Sequence, residues 1–540
     1  MTKYFNHILV LLFISLLIPN NLIGGNNPKL VVGIVVDQMR FDYLNLYSKN
    51  FSKNGFKKLL NDGYSFNNIK YNYIPTLTAP GLATIYTGTT PSIHGIVANN
   101  WYDRNSKQII YSLSDSTANP VGVDDPYHRR SSANLKCTTI TDELRIRYGT
   151  DSKIISISIK DRAAVLPAGI SADGAYWFDS KTGNWISSDT YMQQLPQWVN
   201  DFNAKNIPND MLNITWNLML PMDEYISQRP DDNEFEDPFP GETSTSFPHV
   251  INGPSKEKFY QLKSSPYGNS LTTLLALQSI EHEKLGLDSI TDFLAISYSS
   301  PDYVGHKFGV ASLELEDTFL RLDREIGVLI DQLDQKVGKG EYLLFLTSDH
   351  GAAPNPSYHQ QQHGEGGFVN NRELTTYLND LLNNKFKVTD LVLKILGQQV
   401  YLNESAIKEN KLRLSKVEDL VSSELLNYKG IVESFTREQL INKKVNSHLG
   451  KLVMNGYQYP LSGNVVFCLN KHWLKTRKSG SDHGSGYDYD THVPLILYGK
   501  NVKHGSSEIE SDITQIVPTI CGLSNIPLPA NSNIKKLVLE

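Results

Sequence analysis

Cysteine is scarce in this chain: Cys137, Cys468 and Cys521 are the only three in 540 residues. They are far apart, odd in number and form no CxxC, which excludes a disulfide framework and a thiolate zinc site. An excess of one charge sign is also lacking, with 51 basic against 57 acidic side chains and a net charge of −6. A pI near 6.2 excludes the broad basic field of a nucleic-acid coat, so no nucleic-acid partner is expected. Glycine has no period, which excludes collagen-like and low-complexity architecture, and a hydrophobic fraction of 40% excludes disorder. Long apolar runs are missing too. The longest near the start, Ile8–Ile18, falls well short of the roughly 20 residues that a membrane span needs. Lys3 before it, and Pro19, Gly24 and Gly25 after it, give the order of a secretory signal peptide over residues 1–24. That order predicts a periplasmic or secreted protein with no stable membrane insertion once the signal is removed.

What is present is a recurring unit: a short, continuously apolar run that ends in a residue able to bind a metal. Leu30–Val36 runs into Asp37, and Phe293–Ser299 passes through Ser300 and Pro301 into Asp302, with His306 four residues on. Tyr342–Ser348 runs into Asp349 and His350, and Ile154–Ile159 into Lys160. Runs of this length with helical stretches between them read as buried parallel strands of an α/β sheet. Phe319, Leu322, Ile326, Leu329, Ile330 and Leu333 repeat at helical spacing and supply a crossover helix. Ligands gather beyond the carboxyl ends of such strands, so Asp37, Asp302, His306, Asp349 and His350 should meet on one rim. A mixed Asp/His set suits zinc, with manganese or iron as substitutes, and there are donors enough for two ions.

Two further segments carry chemistry. Thr78-Ala79-Pro80-Gly81 opens a helix, with proline where the first turn tolerates it. A threonine there is ordinarily an N-cap, yet the same geometry aims a hydroxyl and free N–H groups at an anion. Lys160 and Arg162 lie two apart at a strand end and would share a face if the extended conformation persists. Two cations on one side match a phosphoryl group.

These residues fall in order with Asn99-Asn100-Trp101-Tyr102-Asp103 and Asp482-His483-Gly484-Ser485. The set resembles the alkaline phosphatase superfamily, and most of all the phosphate-irrepressible bacterial alkaline phosphatases that use a threonine nucleophile. The resemblance implies an α/β fold with a parallel-rich sheet flanked by helices. It would form one catalytic domain over residues 25–540, with cap insertions at about 166–285 and 366–480. It implies two Zn2+, one held by Asp37, Thr78, Asp349 and His350, the other by Asp302, His306 and His483. Thr78 would be the nucleophile, with Asn99, Lys160 and Arg162 on the nonbridging phosphoryl oxygens of small-molecule phosphate monoesters. Asn99 is preferred to Asn100 by spacing, and His483 to His492 by its His-Gly-Ser context. Leu82 stands where the family often has histidine, a change of packing and not of a ligand. The chain is expected to act as a monomer. Rival readings are a nucleotide pyrophosphatase-type phosphodiesterase, which shares the metals and threonine, a sulfatase, and a non-catalytic relative. His359 and His363 have the i,i+4 spacing of a metal pair but read as a polar loop.

Overall fold

The computed structural model describes residues 27–539 apart from 228, 254 and 476–478. The signal-peptide segment, 1–24, lies outside the described residues. Strands covered by helices on both faces must bury every side chain, and the apolar runs do so. All seven residues of β1 (Leu30–Val36) are buried. The other long strands are β2 (Tyr64–Lys70), β3 (Ile154–Ser158), β4 (Gly174–Phe178) and β5 (Trp185–Ser188). They continue with β6 (Asp292–Tyr298), β7 (Tyr342–Thr347) and β8 (His492–Gly499).

These strands form one sheet in the order β2–β8–β7–β1–β6–β3–β4–β5, with short edge strands beyond each end. From β7 to β4 all neighbours are parallel, whereas β8 runs antiparallel to β7 and β2, and β5 antiparallel to β4. The fold is therefore α/β with a large mixed sheet, parallel at its centre. Register fixes where the strands stop. Val36 lies opposite Tyr298, and Val35 opposite Thr347, so Asp37, Ser299 and Ser348 leave the sheet on one rim. Leu495 also pairs with Thr347 from the antiparallel side, so the segment leading into β8 arrives at the same rim.

Helices cover both faces. The principal ones are α1 (Thr78–Thr87), α2 (Asp161–Ala168), α3 (Tyr267–His282), α4 (Ser300–Phe308) and α5 (Leu313–Leu333). Alternate residues of β1 feed two different cores, as period-2 geometry requires. Val32, Ile34 and Val36 pack with Leu271 and Leu275 of α3 and Phe319, Leu322 and Ile326 of α5. Val31 and Val35 pack with Ala79 and Leu82 of α1 and Ala163 and Val165 of α2.

The two stretches read as cap insertions fold differently from each other. In 166–285, β4 and β5 extend the main sheet and α3 packs beneath it, so much of this stretch is sheet and cover. Its strands are short and aromatic (GAYWF, WISS) and end in no ligand, which hid them in the sequence. Residues 366–480 form a separate lobe. Its antiparallel sheet, ordered Val392–Leu396, Gln399–Leu402, Val465–Leu469, Ile431–Thr436, carries helices Asn371–Phe386 and Leu414–Leu425. Leu374, Leu378, Leu382, Val417 and Val421 give this lobe its own core.

Gly33 shows how tightly β1 is packed. A methyl group there would lie 2.6 Å from the Phe345 ring and 2.7 Å from the Tyr86 hydroxyl. Gly33→Val is expected to cost about 1–3 kcal/mol through overpacking. Thermal melting of the variant checks it: a lowered midpoint is expected, and an unchanged one would contradict the packing.

Candidate active site

Each strand end delivers one part of the site. Asp37 follows β1, Asp349 and His350 follow β7, and Asp302 and His306 lie one turn apart on α4. Thr78 is the first residue of α1, Lys160 caps α2, and His483 stands in the loop before β8. All are buried except His306, which is half-buried.

The three histidines share one arrangement. Nδ1 donates to a backbone carbonyl in each: His350 to Gly351 at 2.9 Å, His306 to Ser481 at 2.8 Å, His483 to Thr76 at 2.8 Å. A carbonyl can only accept, so each Nδ1 carries a proton and Nε2 is the nitrogen turned toward the donor cluster. Those Nε2 atoms face carboxylates. Around His350 Nε2 lie Thr78 Oγ1 at 3.4 Å, Asp349 Oδ2 at 3.5 Å and Asp37 Oδ1 at 3.6 Å. Asp302 Oδ1 lies 3.1 Å from His306 Nε2 and 3.5 Å from His483 Nε2. Metal–ligand bonds of 2.0–2.1 Å in a tetrahedron put donors roughly 3.3 Å apart, which these distances match. Asp37 Oδ1 and Asp349 Oδ2 are buried without a hydrogen-bond partner among the described residues. The donor set thus fits a divalent cation on each side. Asp302 stands between the two, since it also forms a close trio with Asp37 and His350.

Lys160 ties the halves together. Its ammonium is 2.7 Å from Asp37 Oδ2 and 2.5 Å from Asp302 Oδ2. Burial and the Asp302 charge push the Asp37 carboxyl above its ordinary range. Burial does the same to Asp349, with Asp37 adding to it. Burial would raise Asp302 too, but His306 and Lys160 overcome it and hold the group well below the usual carboxylate range. Burial, helped by His483, depresses His350 far below the usual imidazole value, which keeps its ring neutral and able to bind a metal.

The structure corrects one element of the sequence reading. Lys160 is extended, but a helix starts at Asp161, so Arg162 sits in the first turn of α2 and not on a strand face. The alanine-rich run DRAAVLPA favours helix, and Ala163 and Ala164 donate back to the Lys160 carbonyl. Arg162 still reaches the site, with Nη2 3.5 Å from Thr78 Oγ1. Asn99 accepts from the Ala79 N–H at 2.9 Å, whereas Asn100 is exposed and pairs with Tyr111 in a hairpin. His492 stacks on Phe41 and bonds the Asn67 carbonyl, away from the donors. His359 and His363, expected in a polar loop, lie instead on the helix Pro356–His363, capped by Asn355, where His359 stacks on His472; neither joins the donor set. Leu82 is buried in the core beneath α1.

Sequence reasoning missed two supporting residues. Gln38, at φ 65°, donates Nε2–H to Asp302 at 2.8 Å and its N–H to Asp349 at 3.2 Å. Asp161 accepts from Arg130 at 2.7 Å and from the Tyr111 hydroxyl, which fixes the start of α2. No local pattern marks these pairs, because the partners are far apart in the chain. A cavity of about 290 Å³ adjoins Asn99, His306 and His483 and is walled by Gln398, Val453 and Lys475 of the lobe.

With this geometry in view, the comparisons are decisive. Residues 31–506 match the family described as type I phosphodiesterase / nucleotide pyrophosphatase. The chain belongs to that family, within the alkaline phosphatase superfamily. A Myroides odoratus protein named a calcium-transporting ATPase is 41% identical over 518 residues, covering 95% of this chain and 94% of that one. Alkaline phosphatase PafA of Elizabethkingia meningoseptica is 39% identical over 508 residues, covering 94% and 93%. Alkaline phosphatase PhoV of Synechococcus elongatus is 41% identical over 513 residues, covering 95% and 92%. The crystal structure of PafA superposes with a TM-score of 0.91 at 38% identity, covering 95% of this chain and 99% of that one. A PafA variant with a threonine, an asparagine, a lysine and an arginine replaced superposes equally well.

The approach of α1 to the site depends on Gly81. A methyl group there would lie 2.3 Å from the Asp349 carbonyl oxygen and 2.9 Å from its Cβ. Gly81→Ala is expected to shift Asp349 and weaken divalent-cation affinity by about 10–100-fold, as changes behind a ligand do. Competition with a chelating dye measures it, and wild-type affinity would contradict the packing.

Proposed function

We propose that this chain is an alkaline phosphatase that hydrolyses small-molecule phosphate monoesters through a covalent phosphothreonine at Thr78. The observation that carries this reading is the place of the Thr78 hydroxyl. It is buried at a helix N-terminus, 3.4 Å from His350 Nε2 and 3.5 Å from Arg162 Nη2. The relatives named alkaline phosphatases support it, as does the PafA variant. That variant changes the same four residue types, in the same order, as Thr78, Asn99, Lys160 and Arg162.

Two Zn2+ fit the donors, one at Asp37, Thr78, Asp349 and His350, the other at Asp302, His306 and His483. When bound they supply Lewis-acid stabilisation of the attacking and departing oxygens. The chain's own residues do the positioning. Thr78 Oγ forms a bond to phosphorus as the bond to the alcohol oxygen breaks, and the alcohol leaves with a proton. Water then attacks phosphorus, the Oγ–phosphorus bond breaks, Thr78 regains its proton and phosphate is released. Arg162, Lys160 and the free amide N–H groups of Asn99 oppose charge on the nonbridging oxygens. The alcohol departs toward His306 and His483, into the 290 Å³ cavity beneath the lobe, which acts as a cap.

Lys160 and Arg162 favour monoesters over diesters. A monoester dianion places more charge on its terminal oxygens than a diester does, and a cationic pair rewards the difference. The complete donor set argues against a non-catalytic relative. The name of the Myroides relative points to phosphoryl chemistry as well as transport; among the described residues no helix is long and apolar enough to cross a membrane. Export to the periplasm and action as a monomer complete the proposal.

The decisive comparison is kcat/KM for an aryl monoester, diester and sulfate in zinc-loaded protein, where the monoester should lead by orders of magnitude. Lys160→Ala with Arg162→Ala should cost monoester turnover far more than diester turnover, and equal losses would contradict the preference. Thr78→Ala should trap no phosphoenzyme while still binding metal. Wild-type turnover by that variant would refute the nucleophile.

A further inference from the structure

A second cavity, of about 600 Å³, meets the site at Lys160, Asp161 and Arg162 and has an excess of cations. Arg130, Lys181 and Lys263 line it as well, against the carboxylates of Asp161, Asp179 and Glu257. Most of these charges are already committed. Asp161 pairs with Arg130 at 2.7 Å, Lys181 with Asp125 at 2.6 Å, and Lys160 with Asp37 and Asp302. Asp179 accepts from Thr182 at 2.6 Å and faces His128 at 3.3 Å.

Two cationic groups are left over. Lys263 makes no ion pair with any described residue; its ammonium lies over the Tyr260 ring at 4.8 Å and the Tyr303 ring at 5.4 Å. The Lys160 ammonium lies 4.7 Å from the same Tyr303 ring, so two cations share one aromatic ring. Burial pushes the Lys263 ammonium down to about 8, with Lys160 and Arg162 adding to the effect against Glu257 and Asp161. Arg162 has Asp161 and Asp37 nearby but keeps one donor unused: its buried Nε–H has no acceptor among the described residues, while Nη2 faces Thr78. Two unmatched cationic donors on one polar cavity call for a doubly charged ligand with several acceptor oxygens.

We propose that this cavity is a second oxyanion site that binds a phosphate dianion on Lys263 and the Nε–H of Arg162. The site is separate from the one at Thr78, on whose assignment it rests. The dianion has two sources, free inorganic phosphate and the second phosphate group of a bis-phosphorylated substrate. Arg162 touches both sites, so occupancy of one cavity would be felt in the other.

Calorimetric titration of the metal-loaded protein with inorganic phosphate tests this directly. Two phosphates per chain are expected in the wild type and one in Lys263→Met, with two restored in Lys263→Arg. Glu257→Gln, which removes the acid facing Lys263, should tighten the second phosphate. A single phosphate in the wild type would overturn the proposal, and so would two in Lys263→Met. The source follows from the ratio of kcat/KM for a bisphosphate to that for its monophosphate counterpart. A fall of tenfold or more in Lys263→Met assigns the cavity to the substrate's second group, and an unchanged ratio assigns it to free phosphate. Aryl monoester turnover by the wild type tests the Thr78 site separately: turnover with a single bound phosphate overturns only the second site.

Discussion

Three buried carboxylates on one rim set the terms for everything around them. Asp37, Asp302 and Asp349 are removed from water, and burying an ionised carboxylate is costly unless a partner compensates it. Protein groups supply only part of that compensation. The Lys160 ammonium is shared between Asp37 and Asp302, Gln38 donates to Asp302 and Asp349, and two carboxylate oxygens have no hydrogen-bond partner among the described residues. Three imidazoles turned to aim Nε2 at the carboxylates complete an arrangement that divalent cations would satisfy.

The sheet is what makes this concentration of charge possible. Parallel strands β7, β1, β6 and β3 end side by side, so residues hundreds of positions apart in the chain come within a few ångströms. Helices α1, α2 and α4 all begin on that rim, with the positive ends of their dipoles toward it. The same field that tempers the carboxylates suits an incoming phosphoryl group. Separation of labour follows: the doubly covered sheet positions the donors, and the lobe of residues 366–480 walls the cavity beside Asn99, His306 and His483.

Much of the centre was legible because buried parallel strands write continuous apolar runs. The expected Leu30–Val36 coincides with β1, Ile154–Ile159 and Tyr342–Ser348 run one residue past the ends of β3 and β7, and Phe293–Ser299 is β6 shifted by one residue at both ends. Asp37, Asp302, His306, Asp349 and His350 were legible because each follows such a run, whereas Thr78 opens a helix and His483 came from the resemblance alone. Arg162 was placed on the wrong element, since an extended strand end and a helical first turn both bring it near Lys160. Gln38 and Asp161 were missed because their partners are distant in sequence. The strands β4 and β5 escaped notice because short aromatic runs resemble loop segments when no ligand ends them. The lobe's antiparallel sheet has the same cause: its pairings join residues that no local periodicity connects.

On the proposed reading, seven side chains scattered through the sequence hold two divalent cations. Anomalous diffraction at the zinc absorption edge, from crystals of protein purified with zinc, tests it most directly. Two peaks per chain are expected, one among Asp37, Thr78, Asp349 and His350, the other among Asp302, His306 and His483. A map with a single peak, or with peaks elsewhere, would contradict it.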